Sequence, residues 1–115
     1  MKFDRDYNWL EVTRSFDEGT AAAISAHVAQ VLERDSEIPR KYKELILLAC
    51  STAIRSGGSV RSHGFGALRH GATRAEILEA IALAAMPAGY SAFIEAIEAF
   101  GDELTAPGRQ EGAGA

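Results

Sequence analysis

Leu45–Cys50 is an unbroken apolar run (LILLAC) set directly behind the charged segment Lys41-Tyr42-Lys43-Glu44. A helix lying on a protein surface carries one apolar stripe, so a continuous run belongs to a helix buried on most sides. The run is far shorter than the roughly 20 residues that a membrane span needs. It must therefore be enclosed by other elements of the same protein. The spacing predicts this central helix over about Pro39 to Arg55, with Pro39 suited to a first helical turn.

The flanking sequence supplies helices to pack around it. Ile24, His27, Val28, Val31 and Leu32 recur at helical spacing within about Gly19–Arg34. Ser56-Gly57-Gly58-Ser59 breaks the chain after the central helix, since paired glycines loosen the backbone and permit positive φ. A further helix is expected over about Ser59–His70, with Gly71 placed to terminate it. Thr73-Arg74-Ala75-Glu76 has the form of a capping box and opens a helix that reaches about Met86. Pro87 and Gly89 interrupt, and a last helix is expected over about Tyr90–Phe100, with Gly101 as its stop. Period-two alternation is scarce and no Asn-Gly or Asp-Gly hairpin occurs. The fold class is all-α, a compact bundle of about five or six helices.

Before this bundle, Phe3, Tyr7, Trp9, Leu10, Val12 and Phe16 are mixed with charges and lack a clean helical period. So many aromatics do not suit a disordered tail. They imply an arm packed on the body or on a neighbouring subunit. At the other end, residues 106–115 are small, polar and glycine-rich, and read as a disordered tail. One helical domain over residues 1–105 accounts for the rest of the 115 residues.

Charge and cysteine content narrow the functional classes. With 12 basic and 16 acidic side chains the net charge is −4, which argues against nucleic acid as a partner. Arg55, Arg61 and Arg69 form only a sparse basic cluster, suited instead to a small anionic substrate. The lone cysteine, Cys50, forms no intramolecular disulfide, so a reducing compartment, the cytoplasm, is expected. The charged N-terminus lacks the apolar core of a secretory signal. No membrane partner is expected.

Few side chains are placed for chemistry. His63 follows the Gly-Gly break and lies on one helix face with Ser59 and His70. Its ring suits proton transfer near neutrality, although a helix histidine satisfied by a carbonyl or water fits the same position. Glu44 is either a desolvated carboxylate at the edge of the buried run or a solvated one on that helix's outer side. Cys50, in mid-run, reads as a small buried hydrophobe. His27 reads as structural on the apolar side of its helix, and His70 as exposed in a last turn. The histidines are not at i, i+4 spacing and one cysteine makes no zinc cluster, so neither metal nor cofactor is expected.

The string Lys43-Glu44-Leu45-Ile46-Leu47-Leu48-Ala49, then His63, then Ala67-Leu68-Arg69-His70-Gly71-Ala72-Thr73-Arg74-Ala75-Glu76-Ile77-Leu78-Glu79-Ala80-Ile81, resembles the carboxymuconolactone decarboxylase-like (AhpD-like) superfamily. The resemblance runs from Lys41 to about Phe100. Peroxide-reducing members carry a glutamate, a Cys-x-x-Cys pair and a histidine four residues beyond it. Here Glu44 and His63 match while the cysteine positions hold Ser56 and Ser59, and a serine hydroxyl cannot form a disulfide or cycle through thiol oxidation states. The thiol peroxidase reading is therefore disfavoured. The decarboxylase branch, which works in aromatic-compound catabolism, does not need the pair. The resemblance to that branch implies a carboxy-lyase acting on a carboxylated lactone or related acid. His63 would be its general acid/base, Glu44 would orient the histidine or relay its proton, and Ser56 and Ser59 would bind substrate oxygens. Arg55 or Arg61 is suited to holding a substrate carboxylate. The resemblance also implies a homo-oligomer, a trimer or hexamer. A non-catalytic oligomer that binds a ligand is a further alternative.

Overall fold

A computed structural model describes residues 8–106, so the aromatic Phe3 and Tyr7 and the tail from residue 107 onward lie outside the described residues. The described residues form six helices and no strand. They are α1 (Trp9–Phe16), α2 (Glu18–Val31), α3 (Arg40–Ala53), α4 (Gly57–Arg69), α5 (Arg74–Ala88) and α6 (Tyr90–Leu104). None is long and apolar enough to cross a membrane.

Two bodies of packing follow from the sequence. Helices α3–α6 pack on one another, with α3 touching all three of the others. Their core is Leu48, Val60, Ala67, Ala72, Ile77, Ala80, Ile81, Ala96 and Phe100. Phe100 meets Phe65 edge-on, with ring centroids 5.2 Å apart. Helices α1 and α2 pack against each other and not against α3–α6. This hairpin is tied to α3 by Lys43, whose Nζ donates to the carbonyls of Val31 and Arg34 and to Ser36 Oγ. Those carbonyls lie at and just beyond the end of α2, where a helix leaves acceptors unpaired and a cation is favoured.

The arm expected to lack helical period contains α1. Asn8 caps it by accepting from the N–H of Glu11, and an ion pair joins Arg14 to Glu11. Two turns are too few for periodicity to stand out among flanking aromatics, and the capping residue is the better signal. Trp9, Val12 and Phe16 are exposed on it.

The helix ends test the punctuation. Gly71 has φ +95° behind α4, as a terminating glycine should. The Thr73–Glu76 capping box is formed in both directions. The Gly57-Gly58 pair, in contrast, is not a break but the first turn of α4. The left-handed residue at the end of α3 is Arg55, with φ +60°. Helix α5 runs through Pro87 to Ala88, and α6 runs through Gly101 to Leu104. Leu104 packs against the core, and that burial outweighs the weak helix propensity of Gly101.

Burial around α3 also departs from expectation. Its inner face is Glu44, Leu48, Ser51 and Thr52, whereas Tyr42 (50% exposed), Ile46 (49%) and Cys50 face outward. Cys50 is thus exposed rather than a core hydrophobe, and the apolar run is enclosed on one side only. His27 is likewise exposed, because α2 has no bundle to pack against.

Candidate active site

The second turn of α3 and the middle of α4 bring Glu44 and His63 together. Nδ1 of His63 lies 2.8 Å from Oε1 of Glu44. Glu44 is 2% exposed, which settles its two sequence readings in favour of the desolvated one. Burial alone would push its carboxyl up. Hydrogen bonds and charge from His63 and Arg40 overcome that burial and hold it below the usual carboxylate range. An ionised carboxylate has no proton to give, so Nδ1 carries the hydrogen and donates it to Oε1. Nε2 is then left without a hydrogen-bond partner among the described residues. The His63 side chain is 22% exposed. The ring is thus partly open to solvent while its Nδ1 is anchored to a buried carboxylate.

Two residues that build the pair carry a weaker sequence signal. Arg40, one turn before Glu44, directs both Nε (2.9 Å) and Nη2 (2.8 Å) at Oε2. The carboxylate is thereby divided, one oxygen for the arginine and one for the histidine. Gly66 supplies the floor: a Cβ there would stand 2.6 Å from Glu44 Oε1. Gly64 does the same for the core, since its Cβ would meet the Phe100 ring at 2.7 Å. Glycines inside α4 cost about 1 kcal/mol each relative to alanine, and the close approach of α3 and α6 is what they permit. The Arg40-x3-Glu44 spacing and the mid-helix Gly64-x-Gly66 were the signals available in the sequence.

The remaining candidates lie around the start of α4. Ser56 is its N-cap and makes no side-chain capping bond, and Ser59 sits three residues on. Both are partly buried. The N–H groups of Gly57, Gly58 and Ser59 have no preceding carbonyl within the helix, as in any first turn. Side chains on a helix lean toward its N-terminus, so His63, one turn after Ser59, leans toward this polar end. Arg55 is exposed and pairs with Glu95 on α6 at 3.2 Å. Arg61 turns to α6 instead. It donates to the Ala99 carbonyl at 2.7 Å, lies 3.6 Å from Asp102 and covers the Phe65 ring.

The described residues thus form an all-helical bundle in which a buried glutamate is paired with a partly exposed histidine, with serines rather than cysteines at residues 56 and 59. The sequence pattern of the Carboxymuconolactone decarboxylase family matches residues 18–102, about three quarters of the chain. The chain belongs to that family. No curated protein and no solved structure gave a match.

Proposed function

We propose that the protein is a small-molecule enzyme of the decarboxylase type, releasing CO2 from, or otherwise moving a proton on, a carboxylated lactone or related acid. The observation that carries this reading is the buried Glu44 paired with Nδ1 of His63, a side chain that is 22% exposed and whose Nε2 has no partner among the described residues. Loss of CO2 breaks the carbon–carboxylate bond and leaves its electron pair in an extended enolate. That enolate must be stabilised and reprotonated. Nε2 of His63 first takes up a proton from water, then delivers it to the enolate carbon and returns to the neutral Nδ1–H ring, while Glu44 holds that ring in one tautomer. The hydroxyls of Ser56 and Ser59 and the free amides at the start of α4 are donors for the enolate oxygen. Arg55 is the better cation for the substrate carboxylate, because Arg61 is engaged by α6 whereas Arg55 is held only by an exposed glutamate. Thiol peroxidase chemistry lacks support, since Cys50 is the sole cysteine and has no partner thiol.

The protein acts as a homo-oligomer, a trimer or hexamer. Apolar side chains exposed on the single chain support this, among them Phe16 (88%), Met86 (82%), Tyr90 (77%) and Ile54 (74%). The reaction is tested by incubating the protein with carboxymuconolactone and a panel of related carboxylated lactones and unsaturated acids, following CO2 and product. Turnover that is lost in His63→Ala supports the reading. Turnover that survives unchanged removes His63 from it, and silence across the panel removes the decarboxylase assignment.

A further inference from the structure

A buried carboxylate facing a single histidine has a simple way to settle its charge, which is to protonate the ring and hold it as an imidazolium. Such a ring gives up its proton reluctantly and is a poor relay. Glu44 is not in that position. Arg40 approaches from one turn earlier on the same helix and places two N–H groups on Oε2. The arginine is always charged, so the Arg40–Glu44 unit is neutral before His63 contributes anything. Of the other charges on neighbouring helices, Glu76 on α5 pairs with Lys41, Glu95 on α6 pairs with Arg55 and Asp102 on α6 lies beside Arg61, while Arg69, Glu79 and Glu98 are exposed. Arg40 from α3 and His63 from α4 are the charged groups that act on the Glu44 carboxylate.

We propose that Arg40 is the positioning residue of this site: it takes Oε2 of Glu44 and balances its charge, leaving Oε1 for Nδ1 of His63 and Nε2 free to gain and lose a proton. The inference rests on the acid/base reading of His63 and assigns the device that keeps that ring exchangeable. Geometry and charge act together. Nε of Arg40 donates to Oε2 and Nη2 lies 2.8 Å from the same oxygen, and the carboxylate is seated directly against Gly66. Arginine's fork is suited to this, whereas lysine would supply the charge without the paired N–H groups.

The test needs no substrate. Ring nitrogens of His63 are followed by NMR through a pH titration of the full chain carrying labelled histidine. The proteins compared are wild type, Arg40→Lys and Arg40→Met, with Tm and helix content recorded for each. Wild type is expected to show the Nδ1–H tautomer when the ring is neutral. In Arg40→Met the midpoint for proton uptake by the Glu44–His63 pair moves up by about one unit or more, because an unbalanced buried carboxylate now favours the imidazolium. Arg40→Lys recovers most of that shift. A folded Arg40→Met protein with the wild-type midpoint overturns the proposal. Should that variant not fold, a wild-type ring found as the Nε2–H tautomer, or an Arg40→Lys midpoint displaced by the full unit, overturns it equally. A failed substrate panel leaves these results intact, so the two readings fail separately.

Discussion

Gly66→Ala separates the role of this glycine from its ordinary effect on a helix. Replacing glycine by alanine in a helix interior stabilises by about 1 kcal/mol when the new methyl meets nothing. At residue 66 the methyl would lie 2.6 Å from Oε1, 2.7 Å from Cδ and 2.9 Å from Oε2 of Glu44. A carboxylate at the end of a flexible side chain would normally move aside at little cost. Here it is buried, and its oxygens are held by Arg40 and His63. Moving it forfeits a charge-assisted hydrogen bond worth about 1.5–3 kcal/mol, and crowding a filled interior costs about 1–3 kcal/mol. Set against the propensity gain, the net loss is about 1.5–5 kcal/mol. For a chain of this size that lowers Tm by about 6–20 °C. Thermal unfolding followed by circular dichroism reads the stability, and the NMR signals of the His63 ring read the pair. The expected result is a lower Tm together with altered ring signals. A Tm raised by about 4 °C, with the ring unchanged, would mean that the carboxylate is not seated on Gly66. Gly64→Ala serves as the contrast, because its methyl meets the Phe100 ring and should lower Tm without disturbing the ring of His63.

Acid should destabilise the fold in a defined window. Glu44, Glu76 and Asp17 are all held below their ordinary values. For Glu44, burial is overcome by His63 and Arg40; for Glu76 the causes are the Thr73 N–H and then Lys41; for Asp17, the Thr20 side chain and N–H. A lowered folded-state value contributes stability above the unfolded value, about 4 for such carboxylates, and loses it as pH falls through the folded one. Tm is therefore expected to hold down to about pH 5 and then to fall, and Glu44→Gln should flatten part of that fall; an unchanged slope in the variant would place the acid sensitivity elsewhere. The exposed apolar face of α3 carries a second expectation. Ile46→Glu should shift the protein toward smaller species in analytical ultracentrifugation while leaving helix content intact, and an undisturbed oligomer would take α3 out of the interface.

Much of the bundle was legible because its signals are local. The Thr73–Glu76 capping box and Gly71 each act within one turn, and both are found in the structure as the sequence implied. The Glu44–His63 pairing was approached through spacing and resemblance, but the contact itself depends on how α4 lies across α3. Arg40 carries little signal in the sequence because an i, i+4 Arg–Glu pair on an exposed helix contributes little, and only burial makes this one matter. A Gly-Gly pair implies a flexible break, yet Gly57 and Gly58 sit in regular helix, and Gly64 and Gly66 matter for the space they leave. The run Leu45–Cys50 overstated burial because a sequence pattern does not say whether a helix is covered by its own chain. Tyr42, Ile46 and Cys50 face outward on the single chain. Conversely, α1 was hidden by its shortness, and its capping Asn8 was the clue.

The most direct test of His63 as the acid/base residue is proton delivery itself. The protein would be given carboxymuconolactone in D2O, and CO2 release and deuterium at the reprotonated carbon would be followed for wild type, His63→Ala and Glu44→Gln. The expected result is stoichiometric CO2 and deuterated product from wild type, no turnover from His63→Ala, and slowed turnover from Glu44→Gln with its pH dependence displaced. Wild-type rates of CO2 release and deuteration in His63→Ala would contradict the assignment of proton transfer to this ring.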